Sequence, residues 1–109
     1  EIRLIEPIPE RYNLRAFRWM KMSWSPVPLD GVSYTLEVSK DSRFRRNLPY
    51  KTKTNKLLVQ FDDEATFYWR VRGAKGNDET ISEALSFTMV IRGGKTPTLK
   101  GLKELSGKQ

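Results

Sequence analysis

The sequence predicts an all-β domain, a small antiparallel sandwich or barrel. Three observations lead there. Apolar residues recur at every second position and not at the 3.6-residue spacing of a helix. The alternating stretches are short, and clusters of Pro, Gly, Asp and Asn separate them. The chain has 109 residues, which suits one domain and leaves little room for a second, and its Phe 5, Tyr 4 and Trp 3 can fill one core.

The elements follow in order. Ile2 to Ile5 is a short candidate strand. Met20, Met22 and Trp24 alternate with Lys21 and Ser23, so this strand buries one face. Phe17 and Trp19 fall on the opposite parity, which leaves two alternatives. Either a bulge shifts the register, or the strand begins later and Trp19 covers an outer surface. An exposed Phe–Trp pair is costly, so a bulge or an edge cover is expected, with Trp19 and Tyr12 packed beneath the N-terminal segment. Pro26, Pro28, Asp30 and Gly31 make a turn. Tyr34 to Ser39 alternates cleanly. Leu48 to Thr52 is confined to a sheet edge by Pro49, which lacks an N–H. Lys56 to Phe61 is a further candidate, and Asp62-Asp63-Glu64 ends it. Phe67, Trp69 and Val71 alternate with Tyr68, Arg70 and Arg72, and Gly73, Gly76, Asn77 and Asp78 follow as a break. Leu85 to Ile91 alternates again. That makes seven strands and no convincing helix before residue 92.

Residues 1–91 therefore read as the compact domain. Residues 92–109 read as a basic linker or tail, because Gly93-Gly94 and Pro97 break regular structure. Leu99, Leu102 and Leu105 hint at one short helix there, which Gly101 and Gly107 weaken. The chain opens at Glu1 without a Met, as expected of a processed protein or an excised piece. No stretch approaches 18 apolar residues, so no membrane span is expected.

Lys+Arg 20 against Asp+Glu 13 give a formal charge of +7. Two segments supply it. Residues 40–56 hold Lys40, Arg43, Arg45, Arg46, Lys51, Lys53 and Lys56 against Asp41 alone. Residues 92–109 hold five cations against Glu104 alone, and the remainder of the chain is mildly acidic. With no Cys and no His, disulfides, thiolate nucleophiles, Ser–His or Cys–His catalysis and ordinary zinc sites are excluded.

Trp24-Ser25-Pro26-Val27-Pro28, followed by Tyr34 to Phe44, resembles the region joining the second and third strands of fibronectin type III-like domains in bacterial envelope proteins. Phe67 to Gly73, followed by Ser82-Glu83 and Phe87, resembles their last two strands. The resemblance spans residues 2–91. It implies a seven-stranded antiparallel two-sheet sandwich of immunoglobulin-like type, with Trp24 and Tyr34 in the core. Phe67 stands where many relatives have a corner tyrosine, so the corner hydroxyl would have to come from Tyr68. Gly73 replaces a frequent Ala. Relatives act as spacers, carbohydrate-binding accessories or protein-contact modules in periplasmic, surface or secreted proteins, and the fold alone does not choose among these.

Asp62-Asp63-Glu64 and Asp78-Glu79 lack the spacing of calcium loops and read as solvated turns. No deep pocket is expected in so small a sandwich, which disfavours a carboxylate-based hydrolase. Leu48-Pro49-Tyr50-Lys51-Thr52 departs from a sortase signal, and Gly93-Gly94 leads into no phosphate-cradling helix. No cofactor is expected. The remaining surface is a basic stripe of Arg43, Arg45, Arg46, Tyr68, Arg70 and Arg72. It offers an anionic glycan or peptidoglycan surface on one reading, and protection of an exposed sheet edge on the other. Glu37 is placed to pair across strands with Arg70 or Arg72 and neutralise part of it. Nucleic acid is disfavoured, since one aromatic makes no stacking platform. The expected role is a non-catalytic spacer or contact domain whose partners are other domains of its own chain or another envelope protein.

Overall fold

The structure, a computed structural model, describes residues 1–91. Within them it is all-β, with nine strands: β1 (Leu4–Glu6), β2 (Arg11–Leu14), β3 (Arg18–Trp24), β4 (Ser33–Ser39), β5 (Leu48–Thr52), β6 (Lys56–Phe61), β7 (Ala65–Lys75), β8 (Asp78–Ile81) and β9 (Leu85–Ile91). They form two sheets, one ordered β1-β3-β6 and the other β2-β9-β7-β4-β5, with β8 hydrogen-bonded beside the end of β7. The linker and the short helix expected over 92–109 lie outside the described residues.

The seven expected strands are all present, and two more join them. β2 was hidden because Arg11-Tyr12-Asn13-Leu14 is too short and polar to show a period. It runs parallel to β9, with Tyr12 opposite Met89, so the sandwich is not purely antiparallel. β8 was hidden because Gly73 is not a break. β7 continues through Gly73 to Lys75 and turns at Gly76, which adopts φ 60°. β8 then returns along it, with Thr80 opposite Gly73.

Gly73 is buried where Ile2, Tyr34 and Val27 converge. A Cβ there would lie 3.1 Å from the terminal methyl of Ile2 and 3.5 Å from Tyr34 and Val27.

The two sheets pack their apolar faces into one cluster. β3 supplies Met20, Met22 and Trp24, and β6 supplies Val59 and Phe61. Facing them are Tyr34, Leu36 and Val38 of β4, Phe67, Trp69 and Val71 of β7, and Phe87 and Met89 of β9. Trp24 and Trp69 are fully buried. Their indole N–H groups meet no acceptor among the described residues, so the rings contribute apolar area and not hydrogen bonds. Phe61, Phe67 and Phe87 form a compact aromatic trio, and Tyr12 meets Phe87 edge-on at 6.0 Å.

Trp19 corrects one expectation. It begins no bulge, and more than half of its surface is open. β3 pairs with β6 in unbroken register from Arg18 to Ser23, and alternation turns Trp19 outward. Trp19 is 56% exposed and Phe17 is 52% exposed. Tyr12 is half-buried against the core, with its hydroxyl donating to the Ile8 carbonyl at 3.0 Å. Burial, then the nearby Glu10 carboxylate, raise the Tyr12 phenol above its ordinary value.

Candidate functional site

The basic stripe is built on two supports. One is the outer face of the six-stranded sheet. On β7, Tyr68, Arg70 and Arg72 alternate with buried Phe67, Trp69 and Val71, so their side chains stand on the face away from the core. Register sets Arg70 opposite Glu37 of β4 and Tyr68 opposite Ser39. The other support is the loop from Ser39 to Leu48, which carries Arg43, Arg45 and Arg46.

On the sheet face the arginines are spoken for. Arg70 Nε donates to Glu37 Oε1 at 2.6 Å, and Arg72 Nε donates to Glu37 Oε2 at 3.1 Å. Arg72 Nη1 also reaches Glu79 Oε1 at 3.3 Å. Burial pushes the Glu37 carboxyl up, but hydrogen bonds from Arg70 and Arg72 outweigh it and hold the group below its ordinary value. The same bond to Glu37, against the opposing effect of burial, raises Arg72. The cross-strand pairing expected of Glu37 therefore occurs with both arginines at once. The Tyr68 hydroxyl is not the corner hydrogen bond that the resemblance implies, and it bonds no group among the described residues. A tyrosine hydroxyl is used elsewhere: the Val27 N–H donates to Tyr34 Oη at 2.8 Å.

The loop is organised by Asp41. Its carboxylate accepts from the backbone N–H groups of Arg43 and Arg45, both at 3.1 Å. It also accepts the fork of Arg45, with Nε at 2.7 Å and Nη2 at 3.2 Å. The Arg45 fork, then the Arg43 N–H, hold the Asp41 carboxyl far below the usual carboxylate range. Ser39 Oγ accepts from the Asp41 N–H and donates to the Arg46 carbonyl. This wrapping leaves Phe44 at φ 55°, an uncommon backbone for an aromatic residue. Phe44 is held there by burial, and the Arg70 guanidinium lies 4.2 Å above its ring. Phe44 thus joins the loop to the sheet face.

Between the free edges of β5 and β6 the two sheets part into a groove of about 840 Å³. Val38, Leu48, Tyr50, Phe61 and Phe67 are its apolar lining. Its rim carries Lys40, Asp41, Arg45, Arg46, Asp62 and Asp63. Lys40 Nζ is paired with Asp63 Oδ2 at 2.6 Å. The rim therefore has both signs, and most of its charges are already matched.

Of the six residues read as a binding stripe, the structure brings Arg70 and Arg72 together around Glu37. It places Arg45 and Arg46 on the groove rim, Tyr68 on the sheet face and Arg43 outside the groove. Only Arg43 and Arg46 among the five arginines have no carboxylate partner among the described residues. Sequence reasoning missed the groove, the Lys40–Asp63 pair and the exposed Trp19–Leu58 surface. The first two join residues distant in sequence. The alternation around Trp19 did signal the third. No group of three or more metal-ligating residues occurs among the described residues. Nor is any helix there long and apolar enough to cross a membrane. No family model, curated protein or solved structure matches the chain.

Proposed function

We propose that the chain is a non-catalytic contact or spacer module of fibronectin type III-like kind, from a larger bacterial cell-envelope protein that is periplasmic, surface-exposed or secreted. The observation that carries this reading is the strand order. β1, β3 and β6 make one sheet, and β5, β4, β7 and β9 follow one another in the second. This is the distribution expected of an immunoglobulin-like sandwich whose first strand is split between the sheets. The pairing of charges supports contact over capture of an anionic polymer. Glu37 and Asp41 already occupy Arg45, Arg70 and Arg72. The alternative, a peptidoglycan- or glycan-binding module, retains Arg43 and Arg46 as its free cations.

One incubation separates the readings. Purified sacculi are mixed with the 109-residue chain across a salt series, and both bound protein and released sugar are measured. The contact reading expects neither. Binding that falls with salt and is lost in R43E or R46E overturns it in favour of glycan binding. Sugar release by the chain overturns the non-catalytic assignment.

A further inference from the structure

Exposed strand edges invite another strand, and this fold guards all but one of its edges. The three-stranded sheet ends in β1 and β6, and the other ends in β2 and β5, with β8, four residues opened by Asp78 and Glu79, as a further short edge beside β7. β1 has three residues and a register shift. β2 has four residues and is led in by Pro9. β5 carries Pro49, which has no N–H to offer, and Lys51. β6 is the exception. It has six residues, no proline and no bulge in its pairing with β3. It also exposes Leu58, at 65% of its surface. Leu58 lies opposite Lys21 and Gln60 opposite Trp19, so Leu58 and Trp19 are diagonal neighbours on the outer face.

We propose that β6 pairs antiparallel with β6 of a second copy of this chain, across a two-fold axis normal to the sheet. Two three-stranded sheets then become one of six strands, and both open edges close. Charge selects this occupant. Lys56 opens β6 and Lys53 lies three residues before it, while Asp62 and Asp63 stand just past its end. A reversed copy is therefore its own electrostatic complement. Lys53, Lys56 and Asp62 have no ion-pair partner among the described residues.

Register follows from the same requirement. A two-fold normal to the sheet keeps inner and outer faces distinct, so opposed residues share a face. Setting Lys56 opposite Asp62 of the second copy places Leu57 opposite Phe61, Leu58 opposite Gln60 and Val59 opposite its own counterpart. The two Leu58 side chains become diagonal neighbours across the axis, which extends the stripe that Trp19 begins. Sliding two residues one way sets Lys56 against Gln60. Sliding two residues the other way sets Leu58 against Asp62.

Sedimentation of the 109-residue chain from about 10 μM to about 1 mM tests this, with a monomer–dimer equilibrium expected in that range. K56E and D62K each weaken the dimer by about tenfold or more, and the doubly reversed K56E/D62K chain returns to within about threefold of the original. In a mixed sample of labelled and unlabelled wild-type chain, isotope-filtered NMR shows contacts between Leu57 of one copy and Phe61 of the other. A chain that stays monomeric overturns the proposal, including one whose β6 takes a strand from another protein. So does a dimer indifferent to the single reversals, a double reversal that does not restore it, or absent Leu57–Phe61 contacts. The proposal does not rest on the envelope reading, because sacculus binding and sedimentation report on different surfaces.

Discussion

Glu37 shows how one residue settles the character of a surface. Its side chain is 12% exposed, and it holds two guanidiniums on the outer face of the sheet. Removing it in Glu37→Ala is expected to cost about 1.5 kcal/mol, because two charge-assisted bonds go while the part-exposed arginines rehydrate. The pH dependence has a definite sign. The folded carboxyl titrates below its ordinary value of 4.5, so the unfolded chain binds the proton more readily. Its contribution is complete above that ordinary value and is lost as pH falls through the folded one. Urea midpoints at pH 7 and at about pH 3 should therefore fall further apart in wild type than in Glu37→Gln. Equal falls would mean that the ion pairs contribute nothing to folding. The sequence allowed Glu37 to meet either arginine. That it meets both depends on strand register, which aligns Arg70 directly and Arg72 diagonally.

At the level of elements, a serine covers the break between β8 and β9. The Ser82 N–H donates to the Val71 carbonyl, and the Val71 N–H donates to Ser82 Oγ, both at 2.9 Å. A side chain thus replaces the backbone acceptor that a continuous strand would supply. Ser82→Ala leaves the buried Val71 N–H without that acceptor, which should cost about 1–3 kcal/mol and speed exchange of the Val71 amide. Unchanged exchange at Val71 would count against the bond. Gly73→Ala has the opposite expected sign. The nearest atom to the new Cβ is the terminal methyl of the Ile2 side chain, so a shift of that methyl makes room and the chain gains about 0.5 kcal/mol from reduced unfolded-state freedom. A lowered unfolding midpoint would show that Ile2 is pinned. On β3 the faces differ sharply: Trp24→Ala should cost about 3–5 kcal/mol, and Trp19→Ser less than about 0.5 kcal/mol. Comparable losses would mean that Trp19 is covered in solution. The alternation of β3 was plain in the sequence. The expectation of a buried Trp19 gave aromatic size more weight than parity, and parity prevailed because the β3–β6 ladder has no slip.

Across the whole domain, both sheets share one apolar interior, with Trp24 on one side and Trp69 on the other. Tryptophan fluorescence and far-ultraviolet circular dichroism should consequently lose signal at the same urea concentration. Two separated transitions would show that the sheets unfold independently. The sequence by itself determined that the fold is all-β and which faces of its clear strands are buried. Both are local properties, written in a two-residue period and in proline and glycine breaks. Only the tertiary structure decided that β2 joins β9 in parallel, that β8 returns along β7, and where the charges sit. The net charge of +7 reads as a basic protein facing an acidic partner. Folding brings Glu37 beside Arg70 and Arg72, and Asp63 beside Lys40, so much of the positive charge on this part of the surface is matched within the chain. These pairs span 23 to 35 residues of sequence. No local pattern encodes them, because strand register and sheet order bring their members together.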